Sequence, residues 1–306
     1  MSSHRGIFKS ILHKKNALIP FVIIVLYFVM AVVFEVTDAV MQGNNAVPPH
    51  LAVSDEVFSP PSLRHWLGTD YQGRDVLLRA MAASATALKV GIVSGVISSV
   101  IGVILGASAG FFGKRTDDIV VWIYSTFASM PSLLFILALA LLVSRDFLSP
   151  AFAGTVRTAA AVLRVEPGTL AVYCAIGLTG WVTLCRTVRA ETMKLKKMPY
   201  VDAAKVAGVS SPVIIMRHIL PNVMHLVIIY FTLTFAGAVM LEVIVSYLGF
   251  GVQSAPSWGV MISDGQEQLW RGIWWELAGA TGFLFVLVLA LNLLGDALRD
   301  ILDPKY

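Results

Sequence analysis

Charge is scarce in this 306-residue chain: 14% of its residues are Asp, Glu, Lys or Arg, where a soluble domain carries about 25%. Apolar residues make up 57% and the mean hydropathy is +0.77, which is more apolar surface than one aqueous globule can enclose. A soluble enzyme and a disordered chain are both poor fits. Cysteine is nearly absent. Cys174 and Cys185 stand 11 residues apart in one apolar stretch, about 16 Å along a helix and too far to bridge. A secreted disulfide scaffold is therefore excluded, and both thiols read as small apolar fillers. A phosphate-cradling loop is missing too. Gly113-Lys114 is followed by Arg115, and Ser108 stands where such a loop needs its first glycine. No H-E-x-x-H zinc site and no nucleophile–base arrangement occurs in the apolar runs. His218 and His225 could share a helical face, but no carboxylate or thiolate accompanies them, which argues against a metal site.

What is abundant is long uncharged runs. A helix needs about 20 predominantly apolar residues to cross the hydrocarbon core. Six stretches qualify: Ala17–Phe34, Val90–Gly113, Ile119–Ser144, Thr169–Cys185, Leu226–Leu241 (extendable past Glu242) and Leu277–Gly295. The expected fold is an all-α polytopic membrane bundle of six transmembrane helices. The first run is long for a signal peptide and has no clean small-residue cleavage site behind it. Glycines recur every four residues in the second run, at Gly91 and Gly95 and again at Gly102, Gly106 and Gly110. That spacing lets helix backbones approach closely in lipid and reads first as packing within one subunit. Pro131 lies inside the third run and is expected to kink it.

The net charge of +4 and the pI near 9.1 carry no nucleic-acid signal, because basic residues in membrane proteins collect in cytoplasmic segments. With the N-terminus inside, fifteen of the 23 Lys and Arg residues fall on the cytoplasmic side, among them Arg5, Lys9, Lys114, Arg186, Lys194, Lys205 and Lys305. Both termini are therefore expected to be cytoplasmic. The resulting division is a tail over 1–16, a first span over 17–34, an external loop over 35–89 and a membrane domain over 90–306. The membrane domain carries a cytoplasmic loop over 186–222 and a further external loop over 145–168.

The most informative stretch is Met198 to Asn222, MPYVDAAKVAGVSSPVIIMRHILPN. Pro199 suits a first helical turn, and Gly208 suits the position just past a helix end. Ser210-Ser211-Pro212 reads as the start of a second short helix that stops near Pro221. Ala203, Ala204 and Ala207 leave one face of the first helix flat enough to enter another protein's groove. An interfacial helix pair resting on anionic lipid is the alternative that composition supports about equally.

Asp202-Ala203-Ala204, then Gly208, then Leu220-Pro221 resembles the EAA loop of ABC-importer permease subunits. Three further stretches agree: Leu67-Gly68-Thr69-Asp70-Tyr71-Gln72-Gly73-Arg74-Asp75-Val76-Leu77; Tyr247-Leu248-Gly249-Phe250-Gly251 with Pro256-Ser257-Trp258-Gly259; and Asn292-Leu293-Leu294-Gly295-Asp296-Ala297-Leu298-Arg299-Asp300 with Leu302-Asp303-Pro304. In this order they resemble the second permease subunit of dipeptide/oligopeptide/nickel ABC importers. Asp202 departs from the usual Glu, and His218 stands where the general pattern has Ile. The 145–168 loop is longer than typical.

The resemblance implies the type I importer permease fold. It also implies a sister permease, two cytoplasmic ATP-binding-cassette subunits that hold ATP and Mg, and an external solute-binding protein. This chain itself would bind no cofactor and hydrolyse nothing. Asp202, Ala203, Ala204, Gly208, Leu220 and Pro221 would then form the ATPase-coupling contact. Glu242, an acid near the outer end of a span, is a candidate for the translocation path or a gate, or else a structural pair with a neighbouring helix. Asp75 is placed to cap the second span, and Trp258, Trp270, Trp274 and Trp275 fit an outer aromatic belt. The expected cargo is a di- or oligopeptide. A nickel or metal-chelate importer is the rival within the class. An ion-coupled carrier or an intramembrane protease is the rival outside it, disfavoured by the lack of a clear repeat and of an embedded catalytic pair.

Overall fold

The computed structural model describes residues 15–144, 150–251 and 255–302. Most of the N-terminal tail, Arg145, and the C-terminal Asp303-Pro304 with Lys305 lie outside them. The described chain is helical, with one isolated bridge between Thr69 and Asp75. Its helices are α1 (Lys15–Gly43), α2 (Val76–Phe112), α3 (Lys114–Ser129), α4 (Ser132–Ser144), α5 (Pro150–Leu163), α6 (Pro167–Leu195), α7 (Pro199–Val206), α8 (Ser211–Ile214), α9 (Leu220–Tyr247), α10 (Trp258–Gln268) and α11 (Trp275–Leu302). A π-turn over Ile215–Ile219 joins α8 to α9.

Five helical stretches are long and apolar enough to cross a membrane: α1, α2, α6, Ser211–Tyr247 and α11. The helices α3 and α4 meet that test only as a pair, bent by 89°. Pro131 does more than kink this run. Met130, the residue before it, is forced to extended backbone at φ −84°, ψ 136°, because the proline ring disfavours α geometry at the preceding position. The expected third span is thus two helices meeting at a right angle.

Packing shows what the bent pair does. Ser94 Oγ donates to the Tyr173 carbonyl at 2.8 Å and Ser98 Oγ to the Gly177 carbonyl at 2.7 Å, both contacts spanning 79 residues. The same register continues down both helices. A Cβ on Gly102 would meet the Trp181 carbonyl at 3.1 Å, one on Gly106 the Cys185 carbonyl at 2.6 Å, and one on Gly110 the Arg189 carbonyl at 2.6 Å. Partner numbers rise together, so α2 and α6 run parallel. The chain leaves α2 at Phe112 and re-enters near Arg164, whose carbonyl oxygen lies 3.5 Å from Lys89 Nζ. It must therefore climb back over 23 residues' worth of α2, about 35 Å at 1.5 Å per residue. The α3–α4 pair makes that return, which gives six crossings.

Gly91 and Gly95 pack against Phe235 and Phe231 of α9, where a Cβ would come within 2.3 and 2.7 Å of the rings. Here the numbers run oppositely, so α9 is antiparallel to α2. Both glycine sets thus pack within this chain, with Ser94 and Ser98 completing the small-residue stripe. The helix α1 lies on the outside of the bundle and leaves Ile19, Leu26, Phe28 and Val33 exposed. It is tied in by Tyr27, which donates to the Phe283 carbonyl at 2.8 Å.

The helices outrun the uncharged stretches that announced them. The first reaches Gly43 and the second starts at Val76, which shortens the expected 35–89 loop to 44–75. Some of the charges on these extensions are neutralised by partners, as in the Glu35–Lys89 pair at 2.8 Å. In the same way α6 runs on to Leu195, and the 145–168 loop contains helix α5.

Candidate functional site: the loop between the fourth and fifth crossings

The loop is built by local rules. Pro199 occupies the first position of α7, where its missing N–H costs nothing. The helix ends in a Schellman motif. Gly208 has φ +76°, its N–H donates to the Lys205 carbonyl at 3.0 Å, and Val209 N–H donates to the Ala204 carbonyl at 3.0 Å. Asp202 is exposed and pairs one turn along with Lys205, Oδ1 to Nζ 2.9 Å. Ala203 and Gly208 are exposed and Ala204 is half-buried. Among the described residues no atom would lie within 4 Å of a Cβ at Gly208.

The second short helix departs from expectation. It does not stop at Pro221; it passes through the π-turn directly into α9. Leu220 N–H reaches back five residues to the Ile215 carbonyl, a local widening that accommodates a helix proline. Leu220 is half-buried, and Pro221 is exposed on the first turn of α9. Ile219 is fully buried with Leu184, Val188 and Val223, so the turn is seated on α6. The outward surface is apolar: Val206 is 90% and Met216 67% exposed, with Met198, Tyr200 and Val213 beside them in the sequence and also exposed. Exposed apolar side chains concentrated in one short segment make it a candidate interaction site. Beside it, Arg189 holds Asp117 of α3 through two nitrogens, at 2.5 and 2.6 Å, and Arg186 lies 4.7 Å over the Tyr124 ring.

Glu242 is far from this loop, near the other end of α9. It is 1% exposed and accepts from Ser246 Oγ at 2.6 Å and Ser257 Oγ at 2.8 Å. Ser257 also caps α10, so the carboxylate pins α10 to α9. Of the two histidines, His218 lies against the Tyr200 ring. His225 faces a crevice of about 480 Å³ between α6, α9 and α11, together with Lys194, Asp296 and Arg299.

At the opposite end of the bundle from the α7 loop lies a network that no local pattern in the sequence announces. Asp75 does cap α2, accepting from Leu78 N–H at 2.9 Å. Asp70, however, is fully buried and binds Arg74 at 2.7 Å and Arg79, which in turn binds Glu276 of α11 at 2.9 Å. Burial raises the nearby Asp264 carboxyl above its usual range, with Arg79 and Arg74 opposing. Two of the four expected belt tryptophans are interior donors instead: Trp258 to the Ala80 carbonyl at 2.8 Å and Trp275 to the Thr69 carbonyl at 2.9 Å. Trp270 and Trp274 are exposed.

Residues 102–306 match the family described as the binding-protein-dependent transport system inner membrane component. The chain belongs to that family. Among its relatives, the dipeptide transport system permease protein DppC of Bacillus subtilis is 33% identical over 298 residues, covering 95% of this chain and 83% of the relative. The oligopeptide transport system permease protein OppC of Escherichia coli K12 is 34% identical over 242 residues, covering 79% and 72%. This inner membrane component is thus a multi-pass permease subunit, and the matched region contains the α7 knob, Glu242 and α11 entire.

Proposed function

We propose that this permease forms one half of the membrane pathway of an ATP-driven importer of di- or oligopeptides. Two relatives named for peptide transport cover most of the chain, which supports a peptide cargo over nickel or a metal chelate. The observation that carries the coupling role is the exposed apolar surface around Val206 and Met216 on a short, capped helix seated on α6. A cytoplasmic ATPase subunit docks there, with Asp202, Ala203, Ala204 and Gly208 at the contact and Leu220-Pro221 at its junction with α9. ATP and Mg stay on two such partner subunits. A sister permease completes the path, a solute-binding protein delivers the peptide outside, and both termini are cytoplasmic. Closure of the ATPases shifts the population between inward- and outward-facing states. Glu242 serves as a structural pin for α10 rather than a path residue.

The test is peptide uptake by cells carrying Ala204→Trp or Gly208→Trp, with membrane levels measured in parallel. Uptake should fall at least about tenfold at normal membrane levels, the loss of roughly 1.4 kcal/mol of coupling. Full uptake by Gly208→Trp at normal levels would remove the loop from the mechanism.

A further inference from the structure

A cavity of about 810 Å³ lies between α1, α2 and the start of α6. Its walls fall where three uncharged runs end: at Phe34 and Glu35 on α1, at Lys89 on α2, and at Thr169 on α6. The end of an uncharged run marks the boundary between hydrocarbon and headgroups. Three separate helices therefore put this cavity at headgroup depth.

Its lining is polarised. The last turns of α1, the negative end of that helix, bring Glu35 and Asp38; α2 brings Lys89, and Arg164 stands just ahead of the positive end of α6. Glu35 and Lys89 neutralise each other at 2.8 Å. Asp38 Oδ1 and His50 Nδ1 face each other 3.5 Å apart, and among the described residues neither atom has a hydrogen-bond partner. His50 is 1% exposed. Burial, then the positive charges of Arg79 and Arg74, lower its pKa to about 4, so the ring is neutral. A neutral ring carries one proton: on Nδ1 it points at the Asp38 carboxylate across 3.5 Å, and on Nε2 it leaves Nδ1 an acceptor beside that carboxylate. In the second tautomer a donor entering from the cavity meets both atoms at once.

We propose that this cavity binds the headgroup of an amine-bearing phospholipid, its primary ammonium seated between Asp38 and His50 and its phosphate turned toward Arg164. Charge counting selects the headgroup. With Glu35 and Lys89 cancelling and His50 neutral, the lining keeps Asp38 and Glu166 against Arg164, which disfavours a purely anionic headgroup such as phosphoglycerol. A choline headgroup has no N–H to give the two acceptors. Phosphoethanolamine meets both conditions, and Phe34 and Val165 in the wall suit the apolar start of its acyl chains. A free peptide also carries an ammonium and an anion, but the cavity's depth favours the lipid.

The experiment is native mass spectrometry of the full-length chain, in the complex it forms in the membrane, exchanged into detergent holding equal amounts of phosphatidylethanolamine, phosphatidylcholine and phosphatidylglycerol. Wild-type protein should retain phosphatidylethanolamine at least about fivefold over the other two, and Asp38→Asn or His50→Phe should abolish that preference, a change of roughly 1 kcal/mol. Phosphatidylethanolamine alone should raise the wild-type melting temperature, a readout that needs no variant. Equal retention of the three lipids overturns the proposal. So does a preference indifferent to both substitutions, or displacement of the lipid by a short peptide, which would make the cavity a peptide subsite.

Discussion

Arg79 is 4% exposed and holds two carboxylates from different parts of the chain, Asp70 of the 44–75 loop and Glu276 of α11. Replacing it with Met keeps the stem and removes the charge. The two partners then fare differently. Asp70 still accepts from Arg74 Nε at 2.7 Å and from the Gln72 and Arg74 backbone N–H groups at 2.8 and 2.9 Å, so its charge stays compensated. Glu276, 2% exposed, loses the cation it is paired with among the described residues. Stranding one buried charge costs about 3–5 kcal/mol where it cannot escape by taking up a proton, so above neutral pH Arg79→Met should destabilise the protein by up to that amount. Adding Glu276→Gln removes the stranded charge but leaves a buried amide, so the double variant should recover at least about 1 kcal/mol. The assay is unfolding of the detergent-solubilised protein in mixed micelles, followed by tryptophan fluorescence. The reasoning fails if Arg79→Met lies within about 1 kcal/mol of wild type, or if the double variant is the less stable of the two.

Gly106→Ala drives a methyl to 2.6 Å from the Cys185 carbonyl and 3.0 Å from Val188, so α2 and α6 must separate. A loss of about 1–3 kcal/mol is expected, while Gly282→Ala on α11, with nothing within 4 Å, should be neutral or stabilising by up to about 1 kcal/mol. The same micelle titration ranks the two. His50 sets a pH dependence. Its folded pKa near 4 lies below the ordinary 6.5, so the unfolded chain binds the extra proton and stability falls as pH drops from 6.5 to 4. Up to about 3 kcal/mol is at stake. Melting curves over that window should steepen for wild type and flatten for His50→Phe; a parallel slope in both would show that His50 is not the titrating group.

Features governed by near neighbours were legible in the sequence. The uncharged runs located the crossings, Pro131 marked the break in the third, Gly208 marked the end of α7, and Asp75 marked the start of α2. Each depends on residues within one or two turns. The Asp70–Arg79–Glu276 network was not legible, because Arg79 and Glu276 are 197 positions apart and no local pattern links them. Arg189 and Asp117, 72 apart, were missed for the same reason. Trp258 and Trp275 went to the membrane belt on residue type, and only the packing shows their indole N–H groups turned inward to backbone carbonyls. Ser94 and Ser98 did leave a signal. They continue the four-residue spacing of Gly102, Gly106 and Gly110, and a search for small residues rather than glycine alone would have read the stripe over its whole length.

The stripe also bears on how movement at α7 travels. Because α8, the π-turn and α9 form one continuous helical path, a displacement applied at α7 is not absorbed by a hinge at Pro221; it passes along the axis of α9. At the same level Ile219 and Val223 are buried against Leu184 and Val188 of α6, and Arg189 of α6 clamps α3 through Asp117. Three crossings are therefore joined within one layer at the end of the bundle that carries α7. At that same level α6 also lies close against α2: a Cβ on Gly106 or Gly110 would meet the Cys185 or Arg189 carbonyl at 2.6 Å, and one on Gly102 the Leu184 side chain and the Trp181 carbonyl at 3.1 Å. Close-packed contacts of this kind move as bodies or not at all. The expected motion is thus a rigid tilt of α2, α3, α6 and α9 together, with slack only where side chains are longer or the chain is broken, at the Met130–Pro131 corner and along the lipid-facing α1.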